Sequence, residues 1–500
     1  MGAHARGAAR ARGVKRASSL DAFPRSPLRW VGVAPGVPYF QTEDGRPWHP
    51  IGQNDAISWR ELNPLFRRRD VVAVERYLAM LASHGVTCMR LMLEYAQVRH
   101  RYFETEAGRW SRNMVQFWDD LLALCERHGI RILLTPFDTY WMWVRFQHHP
   151  YNGTKGGPLR HPSRALLSKA MREAIKARLT FSAERWGGSG ALFAWDLWNE
   201  IHPAQAEMSA APFVDFIEDL STHVREVETR AFGRAHPQTV SLFGPELTWR
   251  AEMEMGDAIF RHPRLDFATI HIYEHGTIDD PKNTVEAAIG MGRIVRQSIS
   301  EIRDGRPFLD TEHGPIHRFK DRRSTLPEPF DDEYFRHMQW AHLASGGAGG
   351  GMRWPNRKPH SLTAGMRVAQ HQVAGFMPNI DWLRFDRENV SEAIGVMDGP
   401  GESVGPKRLA RFGCASRDQA VVYLLRRDTL LRSGVLDRSA APLSVSIRLP
   451  MLQPGRYRVT AWDTAGEQPA RSTLQEQRPD AALVVPAFVG DVALAIRRVG

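Results

Sequence analysis

Residues 191–200 read Ala191-Leu192-Phe193-Ala194-Trp195-Asp196-Leu197-Trp198-Asn199-Glu200. This apolar run is too short for a helix, so it predicts a buried strand that ends in a glutamate where a loop begins. A second run of the same layout, Pro307-Phe308-Leu309-Asp310-Thr311-Glu312-His313-Gly314, places its glutamate 112 positions after the first. The sequence therefore predicts two buried strands, each with one carboxylate at its C-terminal end.

Strand-like and helix-like stretches alternate around these two segments. Several of the helix-like stretches end in Gly or His-Gly, as helix C-termini prefer. The predicted strands are residues 51–54, 85–93, 130–137, 191–198, 239–243, 267–273, 307–310 and 350–354. The predicted helices are residues 71–83, 114–128, 164–185, 213–230, 285–303 and 332–344.

Eight strands, each followed by a helix or a long loop, predict an α/β fold of the (β/α)8 TIM-barrel type. A doubly wound open sheet is the alternative, but no Gly-rich phosphate-binding turn follows any early strand. In a barrel, Glu200 would end strand four and Glu312 would end strand seven. Both would then point into the loop-rich mouth at the C-terminal ends of the strands, where barrel enzymes hold their active sites.

The pattern changes from about residue 388 onward. Short alternating segments at 420–425, 443–449, 457–462, 482–485 and 492–496 are separated by Pro, Gly and Asp turns, which predicts an antiparallel β-sandwich. Trp462 is its one aromatic that looks exposed, so we expect the sandwich to cover barrel surface instead of binding sugar. The predicted domains are a basic, disordered tail (1–29), a catalytic barrel (30–383) and a β-sandwich (384–500).

The positive charge of the chain does not indicate a nucleic-acid partner. The formal net charge is +10, but the tail supplies +6 of it, and 58 of the 66 basic residues are arginines scattered along the chain. No run of 18 apolar residues is present, so no membrane span is predicted. The N-terminus lacks the apolar segment of a secretory signal, so as written the protein is expected in the cytoplasm, or secreted if the true start differs.

Cysteine and histidine spacing gives no sign of a disulfide framework or a metal site. Cys88, Cys125 and Cys414 lie far apart in sequence. His271 and His275 share one strand face and His313 and His317 are close, yet the first strand offers no His-x-His pair. We therefore expect no metal and no cofactor.

Two carboxylates at the ends of two strands that open into the same barrel mouth are the minimum equipment for cleaving a glycosidic bond. One gives a proton to the leaving oxygen, and the other attacks the sugar or activates water. The structural alternative for either glutamate is a helix cap or a salt bridge to an arginine. The flanking residues decide between these interpretations.

Those flanking residues resemble glycoside hydrolase clan A, and most closely its family 5, which contains cellulases and mannanases. The resemblance rests on Asn199-Glu200 at strand four, His271-Ile272-Tyr273 at strand six and Glu312 at strand seven, and it spans roughly residues 30 to 383. It implies that Glu200 is the general acid/base and Glu312 the nucleophile, with retention at the anomeric carbon.

The resemblance also implies roles for the neighbours of the two glutamates. Asn199 would bind the sugar 2-hydroxyl, and Arg90 would hold the nucleophile ionised. His271 and Tyr273 would line the subsite of the cleaved sugar, with Tyr273 bonding the nucleophile. Trp354, at the end of strand eight, would be the platform under that sugar.

The third strand departs from the family pattern. Many family 5 members carry a histidine at its end, whereas this chain reads Thr135-Pro136-Phe137-Asp138-Thr139-Tyr140-Trp141. Asp138 or Trp141 is expected to occupy that corner. The loop that follows is aromatic and predicts either a small core of its own or a wall of outer sugar subsites.

Electrostatic reasoning gives the two carboxylates different expected pKa values. A cation and a phenol donor at Glu312 should lower its pKa, and burial between Trp195 and Trp198 should raise the pKa of Glu200. For a retaining enzyme the two carboxyl groups should lie about 5 to 5.5 Å apart.

The sequence thus predicts a monomeric, retaining β-glycoside hydrolase that acts on a β-linked glucan, mannan or derived oligosaccharide. Two alternatives use the same barrel. One is a transglycosylase that remodels an exopolysaccharide, and the other is a non-catalytic carbohydrate-binding barrel.

Overall fold

The computed structural model of the protein describes residues 28–55, 60–94, 101–316, 325–398, 402–466, 468–478 and 482–499. The prediction of a disordered tail falls almost wholly outside these residues, as does His317. Within the described ranges, no helix has the length and apolar character needed to cross a membrane.

The described chain begins with a three-stranded antiparallel sheet of β1 (Val31–Val33), β2 (Phe40–Thr42) and β3 (Pro47–Trp48). Ring contacts of Phe40 and Trp48 with Phe193, and of Phe40 with Phe267, pack this sheet against barrel strands. The sheet is therefore part of the barrel's core packing.

Ten further strands precede residue 388. They are β4 (Gly52–Asn54), β5 (Cys88–Met92), β6 (Glu104–Glu106), β7 (Arg109–Trp110), β8 (Arg131–Thr135), β9 (Leu192–Asp196), β10 (Gln238–Thr239), β11 (His271–Ile272), β12 (Glu312–His313) and β13 (Met352–Arg353). The pair β6 and β7 forms a hairpin of its own. The other eight form one parallel sheet in the order β10-β9-β8-β5-β4-β13-β12-β11. A parallel bridge between Phe243, just beyond β10, and His271 closes the sheet, which confirms the predicted (β/α)8 barrel.

Helices surround this sheet. The α-helices of the described residues are α1 (Val71–Ser83), α2 (Arg112–His128), α3 (Thr139–Val144), α4 (Lys169–Trp186), α5 (Phe213–Phe232), α6 (Glu246–Trp249), α7 (Gly256–Phe260), α8 (Thr284–Glu301), α9 (Glu328–Ala344) and α10 (Ala364–Phe376). Six of them match predicted helices closely. The termini follow local signals: Asp70 caps α1 by accepting from the Ala73 N–H at 2.9 Å, and Gly129 ends α2 in the left-handed conformation.

The unit between β10 and β11 departs from the regular pattern. Two short helices, α6 and α7, stand where a full crossover helix would be. They leave a cavity of about 980 Å³ between the loops after β10 and β11 and helix α8, with Phe243, Tyr273 and Trp249 among its lining residues. The irregular unit thus opens the barrel wall beside the mouth.

The seventh strand was predicted four residues too early. The run 307–310 is linked to its neighbour through a single bridge from Phe308 to Ala268, whereas the strand proper is β12, where Glu312 pairs with His271. The Asp310 side chain accepts from the Glu312 N–H at 3.1 Å and interrupts the regular pattern between the two parts. Glu312 consequently lies in the strand instead of after it.

The C-terminal part forms the predicted antiparallel β-sandwich. Its strands are β14 (Glu388–Asn389), β15 (Gly395–Asp398), β16 (Glu402–Ser403), β17 (Leu409–Ala415), β18 (Gln419–Arg426), β19 (Leu443–Arg448), β20 (Gly455–Trp462), β21 (Arg471–Gln477), β22 (Leu483–Phe488) and β23 (Asp491–Arg498). One sheet has the order β14-β17-β18-β23-β20-β21 and the other β16-β15-β19-β22. The strands β14 to β17 and β21 were not predicted.

One face of the six-stranded sheet shares a continuous apolar core with the barrel. Phe412 and Tyr423 belong to the same buried cluster as the barrel residues, and Tyr423 stacks on Trp340 of α9 with ring centroids 6.3 Å apart. Trp462, the residue that looked exposed, packs edge-on against Phe376 of α10. The sandwich therefore covers apolar barrel surface.

Buried charges join the two parts as well. The Asp491 carboxylate accepts from the Tyr423 hydroxyl at 3.2 Å and lies 3.5 Å from the Arg336 guanidinium of α9. On the same helix, Glu333 accepts from the Leu436 N–H at 2.8 Å. Separating the two parts would remove Arg336 from Asp491 and the Leu436 N–H from Glu333, and the loss of a partner is costly for a buried charge.

Ending the chain at residue 384 should therefore give aggregated protein, because the apolar face around Trp340 and Phe376 would be exposed to water. Size-exclusion chromatography and thermal unfolding would measure this. Co-expression of residues 384–500 as a separate chain should restore solubility. A truncated chain that stayed monomeric with an unchanged unfolding temperature would instead show that the sandwich is independent.

Candidate active site

The C-terminal ends of five barrel strands bring the predicted site residues together. Because the strands are parallel, β5, β9, β11, β12 and β13 all end at the same mouth. Arg90 lies on β5, His271 on β11 and Glu312 on β12. Glu200 follows β9 by four residues and Trp354 follows β13 directly.

Glu200 occupies an unusual backbone conformation at this mouth. Its φ of 51° is in the left-handed region, which a non-glycine residue adopts rarely and at a cost of roughly 1–3 kcal/mol. Its N–H donates to the Ser241 hydroxyl at 3.1 Å, and its carboxylate lies 2.7 Å from Nδ1 of His271. Both contacts turn the side chain towards the centre of the barrel.

Glu312 faces Glu200 across this centre. The Tyr273 hydroxyl donates to its Oε1 at 2.8 Å, and the Arg90 guanidinium donates to its Oε2 at 3.0 Å. One oxygen of Glu312, one oxygen of Glu200 and a ring nitrogen of His271 all lie within 4.8 Å of one another. The two glutamates therefore share one pocket.

Arg90 is wholly buried and links this pocket to the barrel wall. Besides Glu312, its guanidinium donates to the side chains of Asn54 at 3.0 Å, Asp196 at 2.7 Å and Asn199. Four acceptors from three parts of the barrel thus compensate for the loss of hydration of one cation.

Two members of this network, Asp196 and Asn54, were missed by the sequence analysis. Asp196 accepts from Arg90 and from the Ser241 hydroxyl at 3.0 Å, while Asn54 donates to the Thr311 carbonyl at 2.6 Å. The available signal was a charged or amide residue inside an otherwise apolar predicted strand. Such residues are buried only when they have partners.

The corner at the end of β8 is occupied by Asp138. Its Oδ1 accepts from Nδ2 of Asn199 at 2.6 Å, and its Oδ2 caps α3 by accepting from the Trp141 N–H at 2.6 Å. Burial, together with the nearby Glu200, raises the pKa of Asp138 to about 7 against the effect of these bonds. Asp138 thus fixes Asn199, whereas Trp141 is held at the edge and is partly exposed.

The remaining aromatic residues divide between core and surface. Phe146 and Tyr151 are buried, so part of the loop after β8 folds on a core of its own. Trp143 keeps 40% of its surface exposed. Trp354 is partly buried at the end of β13, where its N–H donates to the His313 carbonyl at 2.8 Å.

Burial dominates the electrostatics of the two glutamates. It raises the pKa of Glu200 to about 7 and that of Glu312 to about 7. Arg90 and Tyr273 act to lower the pKa of Glu312, as predicted, while Glu200 raises it. The expectation of a lowered pKa for Glu312 was therefore wrong, because lost hydration outweighs these partners.

The positions of the Trp195 and Trp198 indoles differ from the expectation that Glu200 is buried between them. The Trp195 N–H donates at 3.0 Å to Glu228 of α5, on the outer side of the barrel wall. The Trp198 ring stacks on Phe137, with ring centroids 5.3 Å apart. Trp195 therefore does not enclose Glu200, and the general burial of the barrel mouth raises its pKa.

His271 is uncharged in this environment, since burial lowers its pKa to about 4. Its contact with Glu200 is thus a hydrogen bond between a neutral ring and a carboxyl group. Geometrically, Glu200, His271 and Glu312 could hold a metal ion, but the Arg90 cation already binds Glu312 and opposes a second positive charge there. His275 is largely exposed, and buried His313 bonds to Asp310.

Known structures share the fold of this chain. A glycoside hydrolase of family 5 from Bacteroides vulgatus superimposes with a TM-score of 0.57 over 95% of both chains, at 13% sequence identity. Another structure described as a glycoside hydrolase gives a TM-score of 0.57 over 94% of this chain and 97% of that one, also at 13% identity. The likeness covers the barrel and the sandwich, and it confirms the fold.

Sequence comparison finds similarity to mannan endo-1,4-beta-mannosidases. Mannan endo-1,4-beta-mannosidase 7 of Arabidopsis thaliana is 24% identical over 210 residues, or 38% of this chain and 47% of that protein. Mannan endo-1,4-beta-mannosidase 2 of the same plant is 23% identical over 277 residues, or 49% of this chain and 61% of that protein. The chain thus spans about half the length of these relatives, and no protein-family model matches it. The predicted resemblance is confirmed to this extent: the chain is similar to these mannosidases in sequence and to a glycoside hydrolase of family 5 in fold.

Replacing Tyr273 by phenylalanine should raise the pKa of Glu312 by about one unit, because a hydrogen bond to the ionised carboxylate is lost. Carbon-13 NMR of labelled glutamate during a pH titration would measure the change. Tyr457→Phe removes a similar hydroxyl from the sandwich and should leave this pKa unchanged. An unaltered or lower pKa in Tyr273→Phe would contradict the assigned electrostatics.

Proposed function

We propose that the protein is a retaining β-glycoside hydrolase that cleaves a β-linked mannan or derived manno-oligosaccharides by double displacement. The observation that carries this proposal is the approach of Glu200 and Glu312 to within 4.8 Å, measured between one oxygen of each. Retaining enzymes hold their carboxyl groups about 5–5.5 Å apart, whereas inverting enzymes need about 6.5–9.5 Å to admit a water molecule. The short separation favours direct attack by a carboxylate.

Hydrogen bonding assigns the two roles. Glu312 accepts from a permanent cation and a phenol, both of which favour its ionised form. Among the described residues, the Glu200 carboxyl bonds to uncharged His271, which leaves it the better site for a proton. Two carboxyls this close resist double ionisation, so near neutral pH the pair holds about one proton, on Glu200.

The reaction follows from that protonation state. The Glu312 carboxylate attacks the anomeric carbon while Glu200 gives its proton to the glycosidic oxygen, so the leaving sugar departs as an alcohol and a glycosyl ester remains. Water then attacks the same carbon, Glu200 takes its proton, and Glu312 is released. Two inversions give net retention, and the steps are displacements and proton transfers that require no cofactor.

Neighbouring side chains would orient the sugar. The Asn199 amide has its oxygen bound by Arg90 and one N–H bound by Asp138, which leaves its second N–H for the 2-hydroxyl of the sugar. Trp354, at the mouth end of β13, would supply an apolar face under the ring. Asp138 thus acts on the substrate through Asn199.

The similarity to two mannan endo-1,4-beta-mannosidases favours mannan over glucan as the substrate class. A screen against β-mannan, β-glucans and aryl β-mannosides and β-glucosides would test this, with NMR of the first product anomer to establish retention. Added acceptor sugar would reveal transglycosylation. No turnover on any of these substrates would refute the proposal.

The different proposed roles of Glu312 and Glu200 predict different turnover rates for variants of the two residues. Glu312→Ala should abolish turnover on all substrates. Glu200→Ala should lose about 100- to 10,000-fold on natural substrates, and azide should restore much of the rate on substrates with good leaving groups, because Glu200 only transfers protons. Glu274→Ala, a carboxylate paired with Arg293 beside the mouth, is the control and should keep near wild-type rates. Azide rescue of Glu312→Ala with retained product would reverse the assignment.

The aromatic wall beside the mouth predicts a site for further sugar units. The Phe243 ring lies 5.3 Å from Tyr273 and 5.9 Å from Trp249, and 66% of the Trp249 surface is exposed. Trp249→Ala should raise KM for polymeric mannan about 5-fold through lost stacking, without changing kcat/KM for an aryl monoglycoside.

Two further variants test where the polymer binds. Trp143→Ala tests the loop after β8, and Leu474→Ala removes an exposed apolar side chain from the sandwich. Unchanged KM in Trp249→Ala, as in the Leu474→Ala control, would show that polymer does not contact this wall.

A further inference from the structure

The strand that carries Glu312 contains one extra residue just before it. Along the neighbouring strand, Ala268 pairs with Phe308 and His271 pairs with Glu312. Three steps on one strand are therefore matched by four on the other, which defines a β-bulge around Asp310. Bulges of this kind redirect the side chains that follow them and occur often beside active sites.

Two side chains bind the backbone N–H groups of this bulge. The Asp310 N–H donates to Nε2 of His342 at 3.1 Å, and the Glu312 N–H donates to Oδ1 of Asp310 at 3.1 Å. The side chains of His342, Asp310 and Glu312 are all at least nine-tenths buried. His342 on helix α9 and Asp310 thus hold the backbone of the nucleophile, Glu312, through two successive hydrogen bonds, which we call the relay.

The orientation of the His342 ring is fixed by its other nitrogen. Nδ1 lies 2.7 Å from the Gly349 carbonyl and must donate to it, so Nε2 carries the lone pair that accepts from Asp310. Burial lowers the pKa of His342 to about 4, which keeps the ring neutral and accepting at neutral pH. The relay has one consistent hydrogen-bond direction.

Packing leaves the relay little room to move. A Cβ added at Gly351 would lie 2.9 Å from Oδ2 of Asp310, and one at Gly347 would overlap the His342 ring. Asp310 Oδ2 also lies 2.6 Å from Nδ1 of His313. The glycine-rich turn therefore encloses both side chains and leads directly into β13, the strand before Trp354.

We propose that His342 and Asp310 are positioning residues that hold the bulge and thereby aim Glu312 at the anomeric carbon. This inference rests on the proposed function. Neither side chain is among those that face the sugar, so they act through the nucleophile's backbone. Since a misplacement of roughly 1 Å costs an enzyme about 100-fold in rate, the relay sets the rate of the first displacement.

The test uses three histidine variants of the full chain. His342→Leu fills similar volume but offers no acceptor to Asp310, whereas His342→Gln supplies an oxygen and an N–H at about the spacing of the ring nitrogens. His337→Leu is the matched control, because this ring is buried in the same helix but contacts Asp491 of the sandwich instead of the bulge.

The measurement is covalent labelling of Glu312 by a 2-deoxy-2-fluoro-mannoside with a good leaving group, which isolates nucleophilic attack from proton donation. The rate constant, corrected for folded fraction, should fall about 100-fold in His342→Leu, recover substantially in His342→Gln and remain near wild type in His337→Leu. Affinity for mannose as a competitive ligand should change less than about twofold in all three. Equal labelling rates in His342→Leu and His337→Leu would overturn the inference.

Asp310 supplies an independent test that does not depend on how the histidine variants fold. Asp310→Asn keeps an oxygen for the Glu312 N–H and should retain labelling within about 5-fold, while Asp310→Ala should lose about 100-fold. Equal losses in both would show that the carboxylate charge matters instead of the held backbone. If wild-type protein were neither labelled nor active, the proposed function itself would fail; an active wild type with unaffected variants would refute only this inference.

Discussion

The buried guanidinium of Arg90 is the interaction on which the barrel mouth depends. A cation without access to water requires acceptors, and it finds them on β4, at the end of β9 and on β12. These elements come from distant parts of the chain, so the charge joins them at one point. The Arg90 guanidinium, which links these strand ends, also favours ionisation of Glu312. The buried charge of Arg90 therefore both stabilises the barrel mouth and favours the ionised form of Glu312.

The two glutamates combine similar burial with different hydrogen-bond partners. Both lose most of their hydration, and the pKa of each rises to about 7. What differs is the set of partners: a cation and a phenol for Glu312, and a neutral imidazole for Glu200. In the proposed mechanism, the hydrogen bonds therefore place the shared proton on Glu200, and burial raises both pKa values enough for a proton to be shared near neutral pH.

The sequence predicted the barrel, the sandwich and both glutamates because short apolar strands and amphipathic helices are local patterns. It placed the seventh strand too early, because that prediction followed the apolar run at 307–309, whereas the extra residue at Asp310 moves the regular strand pairing to Glu312. Asp196 and Asn54 were missed because their partner, Arg90, is far away in sequence. The short helices α6 and α7 lack the long periodicity that marks a crossover helix. The roles of the individual site residues remain predictions.

The apolar core shared by barrel and sandwich also governs the order of events during synthesis. The barrel sequence leaves the ribosome first, and its α9 face around Trp340 stays uncovered until strands β17, β18 and β23 have been made. Exposed apolar surface of this kind attracts chaperones and other nascent chains. The α9 face is therefore covered only after the C-terminal strands have been made, and a chain that stopped before β17 would carry a barrel with this apolar face exposed to water.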